Sequence, residues 1–234
     1  MIIYNGVDLT ETIPVQIEDI TVSPIQLSAV ARQRPIRYGA EFVRVSGGTR
    51  NVTITFALLE IDRDARERFM QNVRDWASLG AEYTLELPEF ANKHLECAVT
   101  MLPDYSYRKW FENKLRIQFT CFNNPYWTSN DLIEVPCGTQ FSISGSAPPL
   151  MTIERRGSTP LTNATYSSAT GGNMTFTTIP AGTLTIDLNR QTAAIGGASI
   201  MKYYTANSTW IVPVIGANQV INGNGTIRYR ERWV

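Results

Sequence analysis

Helical periodicity is confined to one segment of the chain, between Asp62 and Gly80. The apolar residues that recur there at helical spacing are Ala65, Phe69, Val73, Trp76 and Ala77. Asp62 is a good N-cap residue, and Gly80 is a typical residue after a helix C-terminus. The pattern predicts one helix over about residues 62–79, whose polar face carries Arg63 and Arg66. With so little helix, the chain must build most of its core from β-strands.

The rest of residues 1–127 shows the alternation of half-buried strands. Residues 42–45 and 51–56 flank the turn sequence of residues 46–49, which predicts a β-hairpin. The strands expected after the helix cover residues 83–87, 95–99 and 115–122. We therefore expect an N-terminal antiparallel β domain with one α-helix packed across it.

Short strand patterns recur about every ten residues in the second half of the chain. They cover residues 141–143, 150–153, 174–177, 183–187, 200–204, 209–212 and 226–230. This spacing predicts an all-β sandwich or jelly roll.

The C-terminal tract, residues 208–225, resembles the end of such a domain. Trp210 and Val212 are expected on the buried face of a late strand, with Pro213 at its end. Residues 222–225 predict a hairpin into the last strand. The alternating Arg228, Arg230 and Arg232 there are expected to block edge-to-edge pairing.

Charge divides the chain into two parts. Residues 1–127 hold 14 Lys/Arg and 16 Asp/Glu, whereas residues 128–234 hold 7 and 5. This change of composition predicts two domains, 1–127 and 128–234. The formal net charge of zero argues against specific nucleic-acid binding, which needs an excess of Lys and Arg.

Few residues of this chain favour catalysis or metal binding. The single histidine, His94, is expected in a solvated turn, and no nucleotide-binding motif occurs. Cys97, Cys121 and Cys137 lack metal-site spacing and are expected to be buried apolar residues. We therefore predict that the protein is not an enzyme and has no cofactor or metal.

The chain shows neither a signal-peptide pattern nor a long apolar run. This predicts synthesis in the cytoplasm without a signal peptide and no membrane association. Exposed arginines are the candidate contact residues, with the alternative that they are only solvated: Arg32, Arg34, Arg37, Arg63 and Arg66. Three aromatic residues are candidates for sugar stacking or, alternatively, for core packing: Tyr203, Tyr204 and Trp210.

Several segments together resemble the distal tail proteins of long-tailed bacteriophages and prophages. They are residues 4–9, which resemble the first hairpin, residues 44–59 leading into the helix, residues 119–127 at the domain exit, and residues 182–190, 208–225 and 229–233. The family's Pro-Gly before an Asn is altered here, where Pro213, Gly216 and Asn218 are spread apart.

This resemblance implies a virion structural protein of the phage tail tip. The N-terminal domain would form a homo-hexameric ring, and the C-terminal domain would be a galectin-like β-sandwich that serves for attachment. The ring would join the tail tube protein to the tail-tip or tail-associated baseplate protein, and DNA would only pass through its lumen. We expect a neutral or acidic lumen, so a lining of Arg32, Arg34 and Arg37 would count against it. The alternative function is a carbohydrate-binding adaptor that contacts the host cell wall.

Overall fold

The computed structural model describes residues 1–11, 15–26, 28–33, 40–46, 48–58, 63–78, 80–101 and 114–234. The chain divides into two compact units, Met1–Trp127 and Thr128–Val234. Both units are built from antiparallel strands, and the only α-helix among the described residues lies in the first unit. The predicted mainly β fold class is therefore confirmed.

One antiparallel sheet forms the body of the first unit. Its strands follow the order β3–β6–β9–β8–β7–β1–β2, while β4 and β5 pair with each other as a separate ribbon. The elements are β1 (Ile3–Tyr4), β2 (Val7–Asp8), β3 (Val15–Val22), β4 (Ser28–Gln33), β5 (Ala40–Ser46), β6 (Arg50–Leu58), α1 (Arg63–Ser78), β7 (Tyr83–Glu86), β8 (Lys93–Met101) and β9 (Lys114–Cys121).

Strand β6 is central in this sheet and carries the core of the unit. Val52, Ile54 and Phe56 are fully buried on one face, as their alternation with threonines predicts. Its two edges are occupied by β3 and β9. The predicted hairpin between residues 42–45 and 51–56 is therefore wrong, because β5 pairs with β4 instead.

The chain opens with the hairpin that the resemblance implies. Strands β1 and β2 are antiparallel, and Asn5 and Gly6 join them with φ values of 50° and 75°. Two successive positive φ angles are typical of the tight turn that matches strand twist, and Asn-Gly adopts them at low cost. Asn5 also donates its N–H to the Thr84 carbonyl at 3.0 Å, which fixes the hairpin beside β7.

Helix α1 confirms the helical pattern over Arg63–Ser78. Met70 and Val73 are buried, and the helix contacts β8. Gly80 adopts a φ of 63° just beyond the helix, a conformation that glycine reaches without strain. The expected N-cap residue, Asp62, lies outside the described residues.

The second unit contains two antiparallel sheets whose buried side chains form one core. The order is β11–β20–β13–β16–β17–β18 in one sheet and β12–β19–β14–β15 in the other. Strand β10 (Trp127–Ser129) spans the boundary between the units. The remaining strands are β11 (Ile133–Pro136), β12 (Gln140–Ile143), β13 (Ala147–Gly157), β14 (Leu161–Ser168), β15 (Asn173–Ile179), β16 (Gly182–Asp187), β17 (Thr192–Ile195), β18 (Ala198–Ser199), β19 (Gly216–Asn222) and β20 (Thr226–Trp233).

Two predicted strands of this unit are wrong. Residues 200–204 contain a 3₁₀ turn at Met201–Tyr203, and residues 209–212 pair only through one bridge. The segment follows the edge of β15 through two isolated bridges, Phe176 to Tyr204 and Asn173 to Thr209, rather than through a ladder. A short run of β-prone residues does not distinguish this arrangement from a strand, because both are extended.

The expected final hairpin is also wrong. Strands β19 and β20 belong to different sheets, so residues 222–225 cross from one sheet to the other. Gly225 allows this crossing, because a Cβ at that position would lie 2.3 Å from the Glu154 carbonyl oxygen. Strand β20 has β11 and β13 on its two sides, so it is not a sheet edge there.

Candidate interaction surfaces

No group of three or more His, Cys, Asp or Glu side chains with metal-binding proximity occurs in the described part of the chain. His94 is buried in β8 opposite Glu86, so its predicted place in a solvated turn is wrong. The strand begins at Lys93, and its pairing with β7 brings His94 into the sheet.

Two of the cysteines behave as predicted. Cys97 and Cys121 are fully buried, and burial together with a hydrogen bond to the neighbouring Cys121 thiol raises the pKa of Cys97 well above its usual value. Cys137 is only half-buried, and burial raises the pKa of its thiol to about 11. Raised pKa values keep thiols protonated and unreactive.

The candidate arginines lie in two separate elements or outside the described structure. Arg32 is in β4 opposite Glu41, and Arg63 and Arg66 are in the first turn of α1. The side chains of these three arginines lie outside the described part of the structure. Arg34 and Arg37 lie outside it completely. Their role as partner contacts therefore remains a prediction.

The solvent-facing side of α1 carries charges of both signs. Arg68 donates its Nε to the Asp64 carbonyl at 3.2 Å, and Gln71 donates its Nε2 to Asp75 Oδ1 at 2.8 Å. Such contacts within one helix are typical of a solvated face.

Among the described residues, no helix has the length and apolar character needed to cross a membrane.

Strand β3 is an open edge of the first sheet. It pairs with β6 and with no second strand among the described residues. Val15, Ile17, Ile20 and Val22 are only half-buried, although they alternate as core residues do. A long edge strand with partly exposed apolar side chains is a template for pairing with another chain.

The β4–β5 ribbon presents further unpaired strand edges. Within the described ranges, β4 and β5 pair only with each other, with a register shift between Val30 and Ala31. An isolated two-stranded ribbon is marginally stable in water. Since no other described strand pairs with the ribbon, its outer edges are candidates for pairing with an additional strand.

The predicted sugar-stacking residues lie together, but they contact one another and the core. The rings of Tyr204 and Trp210 are stacked with centroids 5.2 Å apart, and Phe176 meets Tyr204 edge-on at 5.6 Å. Lys202 Nζ lies 4.9 Å from the centre of the Tyr203 ring. Tyr203, Tyr204 and Trp210 all pack partly against the core of the second unit. Sugar stacking remains a prediction.

The arginines of β20 tie neighbouring strands together. Arg228 makes ion pairs with Glu134 at 2.8 Å and Glu154 at 2.5 Å. Arg230 donates Nη1 to the Ser129 carbonyl at 2.9 Å, and Arg232 donates Nε to the Pro148 carbonyl at 2.5 Å. Their predicted role as guards of an exposed edge is wrong, because β20 is flanked by other strands.

An apolar ridge on the second unit was not predicted from the sequence. We define the end-cap ridge as Val212, Val214 and Ile215, whose exposed fractions are 61%, 46% and 43%. The neighbouring Ile211 and Pro213 are buried. The expectation that Val212 lies on a buried face is therefore wrong, because the residues on either side of it, Ile211 and Pro213, are the buried ones. Five consecutive apolar residues are the only sequence signal of this ridge.

Beneath the ridge lies a polar residue, Gln219, which is only 2% exposed. Its Oε1 accepts the Val214 N–H at 3.4 Å, a long hydrogen bond. Its Nε2 is buried and has no partner in the described part of the structure. The amide thus supports the ridge with only part of its hydrogen-bonding capacity.

The geometry defines a two-unit antiparallel β protein whose distinctive described features are open strand edges and an exposed apolar ridge. Residues 144–233 match the family model of the siphovirus-type tail component, C-terminal domain. The match covers 90 of the 234 residues and lies within the second unit, so it is this segment that is similar to that family. No curated protein sequence matches the chain.

The whole chain shares its fold with the crystal structure of SPP1 Dit, which is described as a paradigm of the hub adsorption apparatus in phages infecting Gram-positive bacteria. The identity is 14%, the TM-score is 0.74, and the match covers 100% of this chain and 98% of that chain. A chain from the structure of the phage p2 baseplate in its activated conformation with Sr also matches. The identity is 9%, and the match covers 93% of this chain and 90% of that chain. Its TM-score of 0.46 is too low to support an argument. The resemblance to the distal tail protein family is confirmed by the family match and by this fold.

Proposed function

We propose that this protein is a structural component of the tail tip of a long-tailed phage and acts there as a hub. The observation that carries the proposal is the fold match to SPP1 Dit over the full length of both chains, since that protein is described as a hub of the adsorption apparatus. The family match of residues 144–233 supports a place in the tail. The virion is then its location, and tail proteins are its partners.

We further propose that six copies form a ring through their first units. The edge of β3 and the β4–β5 ribbon pair with no further strand among the described residues. They support this proposal, because two different edges of one molecule can join head to tail. A head-to-tail contact closes into a ring when its rotation fits a whole number of copies. The tail tube protein and the tail-tip or baseplate protein would bind on opposite faces of the ring.

The chain's zero formal net charge supports a lumen through which DNA passes without being held. Each phosphate contact made by Lys or Arg would retard the passage of DNA. The proposal therefore includes a lumen without a continuous basic lining. Reconstruction of the ring tests this point directly, since arginines such as Arg32 crowding the lumen would contradict it.

Electron microscopy of the purified chain tests the ring. We expect sixfold particles in negative stain and a mass near six chains by size-exclusion chromatography with light scattering. A single-chain mass at high protein concentration, with no rings in stain, would contradict the proposal.

The carbohydrate-binding alternative has weaker support. Tyr204 and Trp210 stack on each other through one ring face each. Only their remaining surfaces are therefore available to a sugar. A cell-wall glycan array distinguishes the two functions. Saturable binding that Trp210→Ala abolishes, with folding retained, would favour the adaptor function.

A further inference from the structure

We propose that Cys97 and Cys121 are a redox-active pair of thiols, which a small external disulfide converts into a reversible disulfide bond between β8 and β9. The site stands on the geometry of the first unit alone. That the chain meets an oxidising medium outside the host cell rests on the proposed function.

The pairing of β8 with β9 places the two cysteines opposite each other. Ala98 lies opposite Thr120 in this antiparallel ladder, whose register shift comes only after Val99. The same register, continued by one residue, puts Cys97 opposite Cys121. The Cα atoms of opposed residues in antiparallel strands are about 4.5–5.5 Å apart. This distance falls within the span of about 4.4–6.8 Å that a disulfide bond needs.

The two thiols are also in contact on the same side of the sheet. Both side chains are fully buried, and the Cys97 thiol donates a hydrogen bond to the Cys121 sulfur. Both cysteines are free thiols in this structure. Because the strands already hold the two sulfur atoms together, a bond between them requires only a small shift of the side chains.

A buried cation lies next to this pair. Arg50 of β6 is opposite Cys121 on the side away from β8, and only 4% of the residue is exposed. Its Nε and Nη1 are buried and have no hydrogen-bond partner among the described residues, whereas its guanidinium interacts electrostatically with Cys121. A cation beside a thiol favours the thiolate, which is the form that attacks a disulfide. We therefore expect Cys121 to react first.

Two exchange steps complete the reaction with glutathione disulfide. The Cys121 thiolate attacks one glutathione sulfur and forms a mixed disulfide, and the released glutathione thiolate takes up the proton that Cys121 lost. Cys97 then loses its proton and attacks the Cys121 sulfur, so that a second glutathione leaves as its thiol. The two cysteines lose two electrons and two protons, and glutathione disulfide gains them.

The fold makes this reaction slow. Burial and the hydrogen bond to Cys121 raise the pKa of Cys97, and both strands lie inside the sheet, between β6 and β7. Exchange therefore depends on local opening of the strands. The pair stays reduced in a reducing cytoplasm and is oxidised on long exposure to an oxidising medium.

Mass spectrometry of the purified full chain tests the bond. One sample is kept folded with glutathione disulfide, and another is held in urea just below its unfolding midpoint, where the strands open often. Both samples are acid-quenched, alkylated and digested. We expect the Cys97 and Cys121 peptides to be joined, two hydrogens lighter than the reduced pair and separated by dithiothreitol, with faster formation in urea. Absence of the bond from either sample would overturn the proposal.

Serine variants test which thiol reacts first. Cys97→Ser should retain glutathione on Cys121, because the second thiol is missing. Cys121→Ser should take up glutathione on Cys97 at least about threefold more slowly. Cys137→Ser is the matched control, since this cysteine lies in the second unit and its loss should leave the bond unchanged. The reverse order of reactivity would overturn the assignment of Cys121.

Two substitutions test the part of Arg50. We expect Arg50→Gln to slow bond formation about threefold, because the thiolate fraction falls and the remaining thiolate is only partly more reactive in compensation. Arg50→Lys keeps the charge and should restore most of the rate. Rates are compared at urea concentrations that give each protein the same unfolded fraction, so that differences in stability do not enter. Equal rates for all three proteins would exclude a contribution from Arg50.

The bond is expected to stabilise the first unit. It would enclose the 23 residues between the two cysteines and so restrict the unfolded chain. The oxidised chain should melt about 5 °C above the reduced chain. The difference should vanish in Cys97→Ser. Equal melting temperatures would exclude a stabilising role. All these measurements are made on the purified chain whether or not it forms rings, so a failure of the ring proposal leaves them interpretable.

Discussion

Gly223 lies against the aromatic ring of Tyr166 so closely that a Cβ at position 223 would stand 2.3 Å from Tyr166 Cδ1. The backbone of Gly223 has a φ of 149°, and the Tyr166 hydroxyl donates a hydrogen bond to the neighbouring Asn224 carbonyl at 3.0 Å. This contact holds the crossing between β19 and β20. The tyrosine packs beneath the chain where it leaves one sheet for the other.

Gly223→Ala is expected to destabilise the protein by about 2–4 kcal/mol, because it adds an overpacking clash to the strain of a positive φ. Gly171→Ala is the matched control, since Gly171 has a φ of 116° but open space around its Cα. The control should cost about 1 kcal/mol. Calorimetric unfolding of both full-length variants measures the difference, and equal losses would show that Tyr166 does not restrict this position.

The ion pairs of Arg228 are expected to contribute measurably to stability. Arg228 and Glu154 are both partly buried, with side-chain exposures of 30% and 24%, so solvent screens them less than a surface pair. A double-mutant cycle with Arg228→Gln and Glu154→Gln should give a coupling of about 1 kcal/mol.

Asp187 and Arg190 provide the control cycle, because Arg190 is 84% exposed and the two charged groups are 3.9 Å apart. Exposed pairs of this kind contribute between about 0 and 1 kcal/mol. Urea unfolding at low and high salt separates the two pairs. The prediction fails if the Arg228 coupling is no larger than that of Arg190 or disappears equally with salt.

Local sequence patterns predicted where the helix and the strands lie better than they predicted which strands pair with each other. The alternation in β6 and the helical repeat of α1 are visible because burial of one face imposes a period on neighbouring residues. The hairpin at Asn5 and Gly6 was expected only from the resemblance to the distal tail proteins, although its backbone angles suit those residue types. Strand pairing depends on distant segments, and the turn-like residues 46–49 and 222–225 therefore suggested hairpins that do not form.

The surfaces were predicted less well than the fold. The end-cap ridge depends on which of two alternating positions faces the core, and residues 211–215 contain no polar residue to mark the outer face. The assignment of Val212 to the buried face was wrong for that reason. His94 was misplaced because a polar sequence context conceals the strand pairing that buries it.

The open edge of β3 is expected to be needed for ring formation and not for folding. The double variant Gln16→Lys/Thr21→Lys places charges at two exposed positions of this strand, which should block pairing with another copy. We expect rings to be lost in negative stain, while the melting temperature of the single chain stays within a few degrees.

Thr183→Lys is the control for this variant, because Thr183 is exposed on β16, whose two neighbours β13 and β17 leave no open edge. Rings should persist in the control. If the β3 variant forms rings as readily as the control, a different surface must join the copies.

Ionisation of Cys137 is expected to destabilise the second unit at alkaline pH. Burial raises the thiol pKa to about 11 in the folded chain from its ordinary value of 9.0, so folding favours the protonated form. The resulting stabilisation is complete below pH 9 and is lost progressively as the pH rises from 9 towards 11. Because the thiol is only half-buried, we expect a loss of about 1 kcal/mol. Cys137→Ala removes the titrating group, and its melting temperature should therefore fall less than that of the original chain between pH 8.5 and 11. Parallel melting curves for the two proteins across this range would show that the thiol is hydrated when folded and contributes nothing to the pH dependence.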